Sequence, residues 1–222
     1  MINTVIFDMD GLMFDTERLY FKFFEEIFSD YGFEYTPELA KKITGADGQE
    51  IKKIFAEYMG LSEEQIDMRK YAGEAVRRIS DYVKENGVPA KDGLYELFAY
   101  LKEHNYKIAV ASSSPRKMVD FNLKSSGLLD SVSAIASGDE VEKSKPEPDI
   151  FLKAAELIGS EPNSCLVLED SERGILAAVN AGMKVICIPD MSVPEDDKLE
   201  LSEAVYESLK DVVFYLENGS KI

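Results

Sequence analysis

The chain has 222 residues, 45% of them hydrophobic and 30% charged, with a formal net charge of −17, which suits one generous domain or a core with a smaller second one. No apolar stretch approaches the ~20 residues of a membrane-spanning helix, and so acidic a chain repels phosphate backbones and anionic lipid, which argues against a spanning protein, a nucleic-acid binder or a membrane-surface protein. Met1 leads straight into a strand-like run without a secretion-signal pattern, so a cytoplasmic location is expected.

The first element, TVIFD (4–8), is a short apolar run that ends in acids: Asp8 and Asp10, with Gly11 directly behind. About a hundred residues separate it from the next strand-like run, far more than one βαβ crossover needs, so something is inserted. Leu19, Tyr20, Phe23, Phe24, Ile27 and Phe28 fall on one helical stripe. A longer helical segment follows a capping box at Ser62 and Gln65 and closes at Gly87. The insert is therefore expected to be helical over roughly 15–88, with its aromatic stripes forming a bundle core. Downstream come KIAVAS (107–112), SAIAS (133–137), SCLVLED (164–170) and KVICIP (184–189), apolar on both faces as in a parallel sheet covered by helices. Between them, Pro115 suits a first helical turn after three serines, PEPDIFLKAAELIG runs amphipathically to Gly159, and Gly127 and Gly182 suit left-handed caps. Residues 190–222 are acidic and helical in pattern. Cys165 and Cys187 lie inside apolar runs and read as core packing, with no disulfide framework.

The expected fold class is α/β: a doubly wound, mostly parallel Rossmann-like sheet built from 1–15 and 89–222, interrupted by a small α-helical domain over 16–88. Three strand ends carry polar groups: Asp8 and Asp10, then Ser112 to Ser114, then Glu169 and Asp170. In parallel sheets those ends share one edge, where ligands bind. Each motif alone has a plainer reading, as a turn cap, a helix cap or, for Lys145, a solvated lysine. Together the plainer readings fail, because four carboxylates crowded at one edge repel each other unless a cation compensates, and Mg²⁺ suits hard oxygen ligands beside a phosphate. With the cation in place Asp8 can attack phosphorus to give an aspartyl-phosphate, while Asp10 protonates the leaving oxygen and later takes a proton from water. Ser112, Ser113 and the amides opening the next helix suit phosphate oxygens, and Lys145 neutralises nucleophile and transferring group. His104 reads as a surface residue, so no histidine-dependent mechanism is favoured.

Four ordered motifs, DMDG (Asp8, Asp10), VASSS (Ser112), SKPEPDIF (Lys145) and LEDSERG (Glu169, Asp170), resemble the haloacid dehalogenase superfamily of phosphatases and phosphomutases over nearly the whole chain. The resemblance implies that the helical insert is the family's cap domain. It implies Mg²⁺ held by Asp8, the main-chain carbonyl of Asp10 and Asp170, with Glu169 either a direct ligand or a group behind the ligands that does not touch the ion, and phosphatase chemistry rather than dehalogenation because Asp10 is present. DMDGLMFDTE and SKPEPDIF look most like the β-phosphoglucomutase and sugar-phosphate phosphatase branch. Where the mutases of that branch carry a histidine and an arginine in the cap, this chain has Tyr20 and Gly48, and neither is a cation that could hold a far phosphate. Hydrolysis of a small phosphomonoester, a phosphorylated metabolite, is therefore the expected reaction. A phosphomutase is the alternative, and a non-catalytic phosphometabolite-binding protein a third reading. The cap is expected to close over the cleft on hinges near Phe14 to Thr16 and Pro89 to Gly93, with specificity residues around Thr44 to Gln49. Oligomeric state leaves no trace in the sequence.

Overall fold

The structure is a computed structural model and describes residues 2–43 and 48–218. Six strands, β1 (Thr4–Phe7), β2 (Lys107–Ser112), β3 (Ala134–Ser137), β4 (Cys165–Glu169), β5 (Lys184–Cys187) and β6 (Ala204–Val205), form one sheet in the order β3-β2-β1-β4-β5-β6. Every pairing is parallel. The first five runs are the ones expected from their two-faced apolarity, and β1 and β4 are buried along their whole length. The α/β doubly wound reading is borne out.

β6 was not anticipated. The C-terminal stretch, expected to be helical, contains α9 (Asp196–Leu199), this two-residue strand, and α10 (Asp211–Asn218). Two residues are too few to carry a period, and β6 exists through its ladder to Ile186 and Cys187 rather than through its own pattern.

Between β1 and β2 lie α1 (Thr16–Asp30), α2 (Pro37–Ile43), α3 (Gly48–Met59), α4 (Met68–Asn86) and α5 (Leu94–Glu103). The chain divides into two compact units, one of 1–16 with 88–222 and one of 17–87. The helical unit has its own core, in which Ile27, Phe28, Tyr35, Phe55 and Tyr71 are buried. Phe28 and Phe55 meet edge to face at 5.0 Å, a favoured aromatic geometry. The capping box is present, with Gln65 accepting from the Ser62 N–H at 2.9 Å, but it caps a single 3₁₀ turn over Glu63–Gln65. The long helix α4 starts three residues later, where the Asp67 side chain accepts from the N–H groups of Arg69 and Lys70. Asp67 is the better cap for a full helix because an ionised oxygen also meets the positive end of the dipole.

The sheet unit contains α6 (Arg116–Ser125), α7 (Asp149–Ile158) and α8 (Glu172–Asn180). Its buried core joins Ile6, Ala109, Phe151, Val167, Ile175 and Val185. Gly159 ends α7 in the left-handed conformation. Among the described residues no helix is long and apolar enough to cross a membrane.

Register decides what stands at the edge of the sheet. Phe7 is level with Val110 on one side and Leu168 on the other, so the residues that follow these three positions emerge side by side. β1 is also the strand at which the winding reverses, since β2 and β3 lie to one side of it and β4, β5 and β6 to the other. A crevice opens at such a switch point.

Candidate active site

Asp8 is the first residue past β1, and its N–H donates to the Leu168 carbonyl at 3.0 Å, which continues the ladder one step beyond the strand. Its side chain is buried, and Oδ1 accepts from Lys145 Nζ at 2.5 Å. The same ammonium donates to Glu169 Oε1 at 2.6 Å and lies 4.8 Å from the centre of the Phe151 ring. Lys145 comes from the loop between β3 and α7, is itself buried, and precedes a cis bond to Pro146. The other oxygen of Glu169, Oε2, accepts from the Asp170 N–H at 2.9 Å, the Ser171 N–H at 2.9 Å and the Ser171 hydroxyl at 3.0 Å. Both oxygens of this fully buried carboxylate are therefore engaged by protein donors, as a buried charge requires.

Two glycines make room for these acids. A Cβ on Gly11 would overlap the Asp170 carboxylate, and Gly11 has φ +88°, where other side chains are strained. A Cβ on Gly174, inside α8, would overlap the Glu169 carboxylate. By helix propensity alone Gly174→Ala stabilises by about 1 kcal/mol. Because the Glu169 oxygens are held by four donors, the overlap cannot be relieved cheaply, and a net loss of roughly 1–3 kcal/mol is expected instead. Urea unfolding followed by circular dichroism measures it, and a variant more stable than the parent would contradict this packing.

Asp10 occupies a separate polar nest. The turn after β1 closes through Met13 N–H to Met9 O at 2.9 Å and Gly11 N–H to Phe14 O at 3.0 Å, which brings Thr16 back beside Asp10. Thr16 Oγ1 donates to Asp10 Oδ1 at 2.9 Å. Asp10 Oδ2 accepts from Ser112 Oγ at 3.2 Å and from Ser114 Oγ at 2.8 Å. Ser112 Oγ in turn accepts from the Ser114 N–H at 3.0 Å, which ties the serine run into one turn ahead of α6. Ser113 is exposed, and its main chain packs against Gly138, where a Cβ would overlap the Ser113 carbonyl. The sequence-derived residues Asp8, Lys145, Glu169 and Asp170 thus come together, Ser112 joins Asp10, and Ser113 lies exposed between Ser112 and Ser114. Thr16, Ser171 and Gly174 were not given a role at the site from the sequence, and Ser114 was named only as part of the polar strand end Ser112 to Ser114.

Asp8, Glu169 and Asp170 each offer a carboxylate oxygen within 4.8 Å of one another. Burial pushes Asp8 up to about 8, with the Glu169 charge adding to it and Lys145 opposing. Burial alone would push the Lys145 ammonium down, but the charges of Asp8 and Glu169 outweigh it and hold Lys145 above its ordinary value, as a cation. Three acids around one ammonium leave negative charge to be balanced. Closely spaced hard oxygens in a buried site, with Gly11 cut back to admit Asp170, fit a divalent ion such as Mg²⁺. The Asp10 carboxylate is not part of this oxygen group.

The remaining candidates for chemistry are inert. His104 is exposed at the end of α5, stacked on Tyr100 at 4.0 Å. Cys165 and Cys187 are buried and unpaired with each other; burial pushes their thiols up to about 11 and about 12. Neither is a nucleophile at neutral pH.

The family described as haloacid dehalogenase-like hydrolase matches residues 5–188. A phosphorylated carbohydrates phosphatase of Thermotoga maritima is 32% identical over 186 residues, covering 83% of this chain and 84% of that protein. Hexitol phosphatase B of Escherichia coli is 28% identical over 211 residues, covering 95% and 94%. Among solved structures, a Thermotoga maritima protein with a provisional beta-phosphoglucomutase description superposes with a TM-score of 0.82 at 26% identity, covering 98% of this chain and 100% of that one. CbbY from Rhodobacter sphaeroides in complex with phosphate superposes with a TM-score of 0.77 at 23% identity, covering 96% of each chain.

Proposed function

The chain belongs to the haloacid dehalogenase-like hydrolase family and is a hydrolase, and on that premise we propose that it is a Mg²⁺-dependent phosphatase of a small phosphomonoester, a sugar phosphate or a similar metabolite. One observation carries the reading: Asp8, Lys145, Glu169 and Asp170 converge at the carboxyl edge of the sheet, at the strand where the winding reverses. The Thermotoga and Escherichia relatives, both named as phosphatases, support it.

Asp8 and Asp170 would hold the ion with the main-chain oxygen of Asp10. Glu169, whose oxygens are already engaged, would chiefly hold Lys145 and the turn at Asp170. When bound, the ion supplies positive charge to the phosphoryl oxygens and to the crowded acids. An Asp8 oxygen attacks phosphorus and forms the aspartyl-phosphate bond. The ester P–O bond breaks, and the leaving oxygen takes its proton from Asp10. Water then attacks the same phosphorus while Asp10 removes a proton from it, the bond to Asp8 breaks, and inorganic phosphate leaves. Lys145 balances charge on Asp8 throughout, and Ser112 supplies a hydroxyl beside the reacting groups.

Phosphate release into water is favoured over transfer to a second sugar hydroxyl because Tyr20 and Gly48 offer no cation for a far phosphate. We read the helical unit of 17–87 as the cap that selects the leaving group. Of the specificity segment expected at Thr44 to Gln49, residues 44–47 lie outside the described residues.

The test is a panel of phosphorylated sugars, glycolate phosphate and nucleotides assayed for phosphate release. Chelation is expected to abolish release and added Mg²⁺ to restore it. Mg²⁺ at a hundred times its Kd should also raise unfolding free energy by about 2.7 kcal/mol, a readout independent of turnover. Full activity in chelator would overturn the metal's role. Interconversion of hexose 1- and 6-phosphates with a bisphosphate primer, without net phosphate release, would establish the mutase instead.

A further inference from the structure

Two side chains of α8 hold the loop that carries Lys145. Arg173 Nε donates to the main-chain oxygen of Lys145 at 2.8 Å, and its Nη2 donates to the same oxygen. Asn180 Nδ2 donates to the next carbonyl, that of Pro146, at 3.0 Å. Positions 173 and 180 are two helical turns apart and share a face, so one helix grips two successive carbonyls. The grip matters because the neighbours Lys143, Ser144 and Glu147 are exposed and the loop has no strand or helix of its own around Lys145. The lysine side chain also carries about 2 kcal/mol of rotamer entropy that must be overcome to hold Nζ between Asp8 and Glu169. α8 fixes the other end of that bridge as well, since Ser171 caps the helix and binds Glu169, and Gly174 packs on the Glu169 carboxylate.

We propose that Arg173, seconded by Asn180, is a positioning residue that clamps the main chain of Lys145 and so sets the Asp8–Lys145–Glu169 bridge. A charged guanidinium is the stronger of the two donors, and the only one with two N–H groups on one oxygen. The proposal rests on the phosphatase reading for its kinetic arm alone.

Arg173→Met, Arg173→Lys and Asn180→Ala are compared with the parent in the full chain with Mg²⁺. Losing a residue that orients a reacting group costs roughly tenfold to a hundredfold in activity. For Arg173→Met the loss is expected in kcat with KM within about threefold, since nothing that binds substrate is removed. Arg173→Lys, which restores a cation but not the fork, recovers part of it, and Asn180→Ala loses less. The second readout is amine acetylation of the native proteins read by peptide mass spectrometry. Lys145, buried and doubly paired in the parent, is expected to be protected there and to react at least about tenfold faster in Arg173→Met, at an unchanged urea midpoint. Parent-like kcat with parent-like protection of Lys145 overturns the clamp, as does a defect confined to KM, which would make Arg173 a substrate contact. If the parent releases phosphate from nothing, the phosphatase reading falls while the acetylation arm still decides the clamp. If Arg173→Met does not fold, Asn180→Ala with parent-like protection and kcat overturns it.

Discussion

Asp8→Asn is expected to leave a folded protein that releases phosphate at least about 10⁴-fold more slowly than the parent. The amide matches the carboxylate in shape, so the ladder contact to Leu168 and the fit against Lys145 survive. What is lost is the anionic oxygen that bonds to phosphorus. Stability should stay within about 1 kcal/mol of the parent, because burial and the Glu169 charge oppose ionisation of Asp8 while Lys145 favours it, and removing the group removes all three effects. Initial rates on the best substrate of the panel, with urea midpoints on the same samples, separate a lost nucleophile from a lost fold. Acid quenching during turnover, followed by mass spectrometry, should find a phosphoryl adduct on the peptide that contains Asp8 in the parent and none in the variant. A variant retaining a tenth of the parent rate would place the nucleophile elsewhere.

Asp8 could be picked out of the sequence because strand burial and strand ending are both local. An apolar run that stops at a carboxylate announces both the strand and what stands at its edge, and the same holds for Ser112 and for Glu169 with Asp170. Lys145 follows no such run, and a proline-rich loop next to an amphipathic helix was the only local sign of it. The groups that hold the site are harder to read. Thr16 reaches Asp10 because the turn from Met9 to Phe14 folds the chain back, and nothing in the identity of a threonine six residues downstream encodes that distance. Gly174 reads as an ordinary helical glycine until the Glu169 carboxylate is found filling the space a Cβ would take. Arg173 and Asn180 look like solvated residues on a polar helix face, and their targets, the carbonyls of Lys145 and Pro146, are main-chain atoms that carry no sequence signature. Strand-end chemistry is written locally, whereas support from across the fold exists only once the register of β1, β2 and β4 has brought the loops together.

Lys145→Met is expected to damage the fold as well as the reaction. Methionine fills most of the lysine's volume against Phe151 but offers no donor, so Asp8 Oδ1 and Glu169 Oε1 lose the ammonium they share at 2.5 and 2.6 Å. Removing one partner from a buried ion pair costs about 3–5 kcal/mol because the remaining charge stays out of water. At about 2–4 °C per kcal/mol for a chain of this size, the melting temperature should fall by roughly 6–20 °C at neutral pH without metal. The penalty has a sign in pH. Asp8 is already raised from 3.8 to about 8 in the parent by burial, against the pull of Lys145. Without Lys145 that pull is gone, so the folded variant holds its proton still more tightly than the unfolded chain does. A group raised in the folded state stabilises below its unfolded value and loses that stability as pH climbs toward the folded one, so parent and variant lose it alike from about pH 4 to about pH 8, and the variant should fall further below the parent only above about pH 8, where Asp8 ionises in the parent and keeps its proton in the variant. Mg²⁺ should narrow the gap for the same reason, by returning positive charge to the cluster. Melts at neutral pH and above about pH 9, with and without Mg²⁺, test all of this together, and a variant as stable as the parent above about pH 9 in chelator would mean that the acids at the end of the sheet do not bear charge at the same time, which is the condition that makes a cation necessary there.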